Sequence, residues 1–136
     1  RDSFGRLVVD RDLRVPAVAG VFATGDAAKA MIDDVGNHAL MSCQHATRMG
    51  AFAGHNAAAE LLGLPTRPYH QKAYVTCLDL GAAGALFTRG WERKVELVGA
   101  QAKKVKQEIN TVWIYPPRAD RAVALASADP ERVTDL

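Results

Sequence analysis

Near the start of the chain the hydrophobic positions come in short runs broken by charge. Arg6-Leu7-Val8-Val9-Asp10 has an apolar centre, Leu13 and Val15 flank Arg14, and Pro16 closes the run, a pattern that predicts extended chain. Gly20-Val21-Phe22-Ala23-Thr24-Gly25-Asp26 follows and predicts a short buried strand running into a glycine turn. Ala27 to Ile32 has the make-up of a helical turn, while Asp33-Asp34-Val35-Gly36-Asn37 reads as a loop. From about Leu40 to Leu62 the period changes. Met41, Cys43, Ala46, Met49, Ala53, Ala57 and Leu61 recur three or four apart, which predicts one long helix. Gly63 stands where a C-terminal cap belongs, and Pro65 and Pro68 forbid continuation. Gly50 and Gly54 weaken the interior of this helix, so the expectation is that something approaches its backbone closely there.

Beyond the prolines the pattern turns strand-like. Lys72 to Asp79 and Ala85 to Thr88 read as strands around Gly81-Ala82-Ala83-Gly84, a hairpin with a loose turn, and a further strand runs through Val95 to Val98. Gly99 to Tyr115 is predicted helical, with Ala102, Val105, Ile109 and Val112 on one face, and Pro116-Pro117 stops it. The tail from Arg118 carries a short alanine pattern that the sequence does not place, and from about 118 it is expected to be loosely ordered. Together these elements predict an α/β unit over residues 1–66, with short strands and one long helix, and an α+β unit over 67–136 built from a strand hairpin and a helix.

Composition narrows the classes. Of 136 residues, 49% are apolar and 24% charged, a globular mixture. A net charge of +2 is too small to imply a nucleic-acid partner, and no apolar run approaches the length of a membrane span or a signal core. Cys43 and Cys77 are no disulfide framework, so a reducing cytoplasm and buried, inert thiols are expected. His38, His45, His55 and His70 lack chelating spacing, and no metal site is expected. Lys103, Lys104 and Lys106 read as a solvated helix face. The chain opens on Arg1 rather than Met, for which processing, a tag or further sequence upstream would account.

The segment with most chemical content is Val21 to Ala28. A strand ending in Gly25-Asp26 puts a carboxylate at the C-terminal edge of a sheet, where open α/β sheets bind ligands. Asp26 can accept hydrogen bonds from hydroxyls, and Gly25 lets a ligand approach the backbone. If the chain is helical from Ala27 onward, its free N–H groups favour an anion. Gly-Asp is also a common turn, and the residues alone leave both readings open.

This segment resembles the second flavin-contacting motif of pyridine-nucleotide-disulfide-type oxidoreductases, in which the equivalent of Asp26 hydrogen-bonds the ribityl chain of FAD. Cys43-Gln44-His45-Ala46-Thr47-Arg48-Met49-Gly50 in turn resembles the Ala-Gln-x-Ala-x-Gln-x-Gly helix start of the type II NADH dehydrogenase-like branch, matching at Gln44, Ala46 and Gly50. Cys43 replaces the first Ala and Arg48 the second Gln, which lies on the quinone side, so a quinone acceptor is in doubt. Tyr74 to Gly81 and Gly90-Trp91 also resemble that branch, and the likeness extends over residues 5 to 117.

The resemblance implies a parent flavoprotein that passes a hydride from NAD(P)H to FAD and electrons on to a quinone or another acceptor. Gly25, Asp26, Ala27, Cys43, Gln44 and His45 would contact FAD, with His45 and Cys43 as candidate participants in the chemistry. The family carries two Gly-x-Gly-x-x-Gly units, one for each dinucleotide, and neither occurs here. By that reading this chain is the C-terminal part of such an enzyme. It would be inactive alone, and its partners would be upstream dinucleotide-binding domains and a second copy of itself. Residues 118–136 lack the bulky apolar face of an interfacial helix, so the protein is expected to be soluble, or peripheral at most. The alternative is a non-catalytic self-association or protein-interaction module.

Overall fold

Leu7–Val8 (β1) and Ala28–Lys29 (β2) lie side by side as a parallel pair, with Leu7 opposite Ala28 and Val8 opposite Lys29. The computed structural model describes residues 1–71 and 73–132; of these, 1–71 with 117–132 make one compact unit and 73–116 another. In the first unit the chain between the paired strands doubles back. The Val15 N–H donates to the Val21 carbonyl (2.8 Å) and the Ala23 N–H to the Leu13 carbonyl (3.0 Å). The Asp10 carboxylate tightens the turn by accepting from the N–H groups of Asp12 and Arg14. Leu13 is fully buried there at φ 65°, a left-handed conformation that a leucine adopts at a cost of about 1 kcal/mol or more.

Residues 27–32 do not form the helical turn that their composition predicts. Their backbone is claimed from both sides: β2 pairs with β1, Met31 bridges to His38, and the Ala39 N–H donates to the Ala30 carbonyl. The loop at 33–37 closes this second doubling. Asp33 accepts from the N–H groups of Val35 and Asn37 and from the Asn37 side chain (2.7 Å).

Cys43–Leu61 (α1) is the long helix. Ser42 caps its start, and Gly63 at φ 65° ends it, with the Leu64 N–H returning to the Ala59 carbonyl and the Gly63 N–H to that of Glu60. Its buried side chains are His45, Met49, Phe52, Ala53, Asn56 and Ala59. Of the stripe read from the sequence only Met49 and Ala53 are buried, whereas Met41 and Leu61 are exposed. Bulk and hydrogen bonding turn the helix to a different face. Phe52 meets Tyr69 edge to face with ring centroids 5.5 Å apart. The Asn56 amide donates to the carbonyls of Asp12 and Arg67 and accepts from the Arg67 N–H, all at 2.8–2.9 Å.

Arg121–Ser127 (α3) belongs to this unit, and Asp120 caps it by accepting from the Val123 N–H. Arg48 donates to the Arg132 carbonyl (3.0 Å), and Arg67 lies 3.7 Å from Glu131. Gly50 and Gly54 line an open cleft of about 530 Å³ beside residues 125–130. Nothing lies within 4 Å of where a Cβ would stand on either glycine, so the close approach expected there is absent among the described residues.

The second unit is a three-stranded antiparallel sheet, Val75–Asp79 (β3), Ala85–Arg89 (β4) and Lys94–Val98 (β5), in that order, with the helix Gly99–Glu108 (α2) against it. The strand expected to begin at Lys72 starts outside the described residues at that one position. Val75, Ala85, Phe87 and Ala102 form its core, with Cys77, Leu97 and Val105 packed around them. Gly84, at φ 98°, is required by the Gly81–Ala83 turn, because a Cβ there would fall 2.5 Å from the Gly99 backbone. The helix predicted to reach Tyr115 loosens into a wider turn at Ile109–Trp113, which leaves Val112 exposed. The mixed helix-and-strand class read from the sequence is the class observed. Among the described residues no helix is long and apolar enough to cross a membrane.

Candidate functional site

The site starts from Phe22, which pairs with Arg14 across the antiparallel bridge and holds residues 20–24 extended. The Arg14 guanidinium lies over the Phe22 ring at 5.5 Å and is itself held by Glu60 (2.8 Å) and Asp12 (2.6 Å). Those two side-chain hydrogen bonds raise the Arg14 pKa above its usual value, and burial opposes them. After Thr24 the chain makes a single 3₁₀ turn over Gly25–Ala27, possible because Gly25 takes φ 62°.

That turn packs against α1. A Cβ built on Gly25 would stand 3.6 Å from the Ala46 Cβ, so the Gly-Asp turn lies beside the first turns of the helix. Two segments far apart in sequence, 25–27 and 43–46, are therefore brought together. The Asp26 carboxylate is exposed and takes no hydrogen bond among the described residues, so it is a free acceptor at the lip of the site. Only one helical turn forms at 25–27, so the extended run of helix N–H groups expected after Ala27 does not exist. The N-terminus nearby is that of α1.

The first turn of α1 carries the other candidates. Cys43 is exposed, contrary to the expected buried thiol, because it sits at the outward corner where the helix begins. Gln44 is half-buried. His45 is fully buried, with Nδ1 2.9 Å from the Ser42 hydroxyl, and burial lowers its pKa, which keeps the ring neutral at pH 7. Ser42 thus does two things: it caps the helix and fixes the imidazole. Sequence reading did not single it out, although a serine just ahead of a periodic stretch is a capping signal. Arg48 points away from the site, donating to the His70 carbonyl (3.2 Å) and lying over Phe52. Cys77 is in the other unit, part-buried, its S–H directed to the Ala102 carbonyl and its thiol pKa pushed up by burial. Among the described residues no cluster of three His, Cys, Asp or Glu could hold a metal ion.

A flavin fits this donor set in part. A free carboxylate suits a ribityl hydroxyl, a glycine turn admits close approach, and the N-terminus of a 19-residue helix favours electron-rich atoms. Nothing in the sequence offers a pyrophosphate cradle.

No protein-family model matches the chain. Two NADH dehydrogenase-like proteins of Mycobacterium tuberculosis, from two strains, are each 51% identical to it over 131 residues. The aligned region is 96% of this chain and 32% of each relative, so the chain spans about a third of the length of the curated relatives it matches.

Proposed function

On the premise that this chain is homologous to one third of an NADH dehydrogenase-like oxidoreductase, we propose that it forms one wall of a flavin site. The flavin, when bound, supplies the hydride chemistry, with NAD(P)H as donor and a quinone or another acceptor downstream. The observation that carries this reading is the exposed, unpartnered Asp26 on a Gly25–Ala27 turn packed against the start of α1. In it Asp26 accepts from a ribityl hydroxyl, Gly25 and Ala27 let the cofactor lie against the backbone, and the first turn of α1 at Cys43 and Gln44 turns its partial positive charge toward the ring. His45, buried and neutral, holds the helix start through Ser42 rather than touching substrate. Arg48 is engaged by backbone carbonyls, which favours an acceptor that does not depend on a side chain at that position.

The remaining dinucleotide contacts would come from Gly-rich units in upstream domains of a longer, cytoplasmic polypeptide, and the 136-residue chain alone would be inactive. The test is to express the complete reading frame that contains the chain and record its visible absorbance. A yellow protein is expected, and Asp26→Ala should weaken FAD retention by roughly 10-fold or more, the loss of one hydrogen bond to a charged acceptor. A colourless full product, or one whose FAD affinity ignores Asp26→Ala, would overturn the proposal.

A second reading, a self-associating module, draws support from the second unit, where Leu78, Val95 and Val98 stay more than half exposed.

A further inference from the structure

Very little ladder holds the turn that carries Asp26. Downstream, β2 pairs with β1 over two residues; upstream, two backbone hydrogen bonds flank the Arg14–Phe22 bridge. Pairing this short does not fix a loop by itself. On the upstream side one side chain joins in, because the Arg14 guanidinium reaches three separate pieces of chain. Its Nη1 donates to Asp12 (2.6 Å), its Nε donates to Glu60 in the last turn of α1 (2.8 Å), and its plane lies over the Phe22 ring at 5.5 Å. Asp12 is braced in turn: its carboxylate accepts from the Thr66 hydroxyl (2.6 Å) and its carbonyl from the Asn56 amide (2.9 Å). The helix α1 then serves as a rigid rule. Its first turn meets Gly25 at Ala46, and its last turn holds Arg14 through Glu60, fourteen residues or about 21 Å further along.

We propose that Arg14 is a positioning residue of the candidate site: by gripping Glu60 and Asp12 while it lies over Phe22, it sets where along α1 the segment 22–26 runs, and so where the Asp26 carboxylate stands. The assignment rests on the flavin-wall reading above. Three features single out this side chain. None of its partners is a candidate cofactor contact, so it acts on the site only through the backbone between Phe22 and Asp26. Two different nitrogens make its two ion pairs, a fork that the single ammonium of a lysine does not reproduce. Removing it leaves Asp12 and Glu60 as neighbouring carboxylates with no cation between them. Either ion pair alone is partly exposed, and pairs of that kind contribute little to stability. The main consequence of losing Arg14 is therefore misplacement of the turn rather than unfolding.

The test is a double-mutant cycle on FAD affinity in the product of the complete reading frame, with Arg14→Ala, Asp26→Ala and their combination, and with the thermal midpoint recorded for each. Arg14→Ala is expected to weaken FAD binding about 5-fold beside an intact Asp26, but by less than about 2-fold once Asp26 is alanine, because it acts through that carboxylate. Arg14→Lys, which keeps a cation between the two carboxylates, should recover the thermal midpoint and not the affinity. A purely structural Arg14 gives the other pattern: a penalty that adds to that of Asp26→Ala, or an affinity that lysine restores together with the midpoint. Either result overturns the proposal, and so does an Arg14→Ala protein that holds FAD as tightly as wild type. FAD affinity indifferent to Asp26→Ala overturns the flavin-wall reading itself, and the assignment of Arg14 with it. Should Arg14→Ala fail to fold, the same cycle run with Arg14→Lys decides.

Discussion

The two units of the molecule are held together in opposite ways. Residues 73–116 use ladders of five-residue strands, unbroken between β3 and β4 and shifted by one residue between β4 and β5 at Phe87/Thr88, around an apolar cluster of Val75, Ala85, Phe87 and Ala102. The unit built from 1–71 and 117–132 has strands of only two residues, and side chains tie its backbone together instead: Asn56 to Asp12 and Arg67, Arg14 to Asp12 and Glu60, Asp33 to Asn37. Two-residue parallel pairing is too short to be stable by itself. Stability there has to come from α1 and above all from the bonds of the buried Asn56, which are costly to break because they leave desolvated groups behind. The difference bears on function. The Gly25–Ala27 turn belongs to the stitched unit, where loops, not ladders, set the position of the carboxylate.

The largest expected effects test that contrast at its apolar centres. Phe52 is fully buried in the stitched unit and Phe87 nearly so in the laddered one. Either Phe→Ala change should cost about 3–5 kcal/mol. Hydrogen exchange tells the units apart: Phe52→Ala should strip protection from α1 amides first, and Phe87→Ala from β3 to β5. Equal loss in both units under either substitution would show that the contrast between them has no energetic meaning.

Next in size is Asn56→Ala. It leaves the Arg67 N–H and the carbonyls of Asp12 and Arg67 without their amide partner in a buried place. A loss of about 2–4 kcal/mol is expected, more than the volume removed would give, since each stranded group costs about 1–3 kcal/mol. Asn56→Leu restores apolar bulk but not the bonds. If denaturant melts place Leu near wild type, packing and not hydrogen bonding holds this unit.

How far the sequence reveals these features depends on the range of the force involved. The β3–β4 hairpin is legible because Gly81 to Gly84 form a local turn between apolar runs, and the end of α1 because Gly63 and Pro65 act within a few residues. The buried face of α1 is not. Counting apolar letters favours Met41, Ala57 and Leu61, whereas the seam is fixed by Asn56 reaching Asp12, 44 residues away, and by Phe52 meeting Tyr69. β2 is hidden for a similar reason: nothing within Ala27 to Ile32 announces that Leu7 and Val8 will pair with it. For the site, Gly25-Asp26 is visible as a turn, but its contact with Ala46 is tertiary, and the exposure of Cys43 and burial of His45 follow from the rotation of α1 that the periodicity misjudges.

A smaller effect follows from His45. Burial lowers its pKa in the folded protein, so the unfolded chain takes up the proton first as pH falls. The stability that goes with a neutral His45 is therefore full above the ordinary histidine value of about 6.5 and declines as the pH drops below it toward the folded-state pKa. Asp2, Asp33 and Asp79, all held below the usual carboxylate range by hydrogen bonds, titrate in a separate and more acidic window. Urea melts at pH 7.5 and 5.5 should show wild type weaker at the lower pH, while His45→Gln loses most of that difference. An identical pH response in the variant would assign the slope to other groups.

The smallest effect has the opposite sign. Gly50 and Gly54 are exposed on α1, and nothing lies within 4 Å of where a Cβ would stand. In this chain each Gly→Ala change should stabilise by about 0.8–1 kcal/mol, because alanine is the better helix former and restricts the unfolded backbone. The same changes in the longer polypeptide proposed above sharpen the comparison of the two units. If both contexts gain equally, the bare glycine face is solvent-facing throughout and the cleft beside residues 125–130 stays open. If the gain in thermal midpoint seen in the 136-residue chain becomes a loss in the longer protein, something packs on the α1 backbone at those positions. The stitched unit would then owe part of its order to a partner, which the laddered unit with its own apolar cluster does not need.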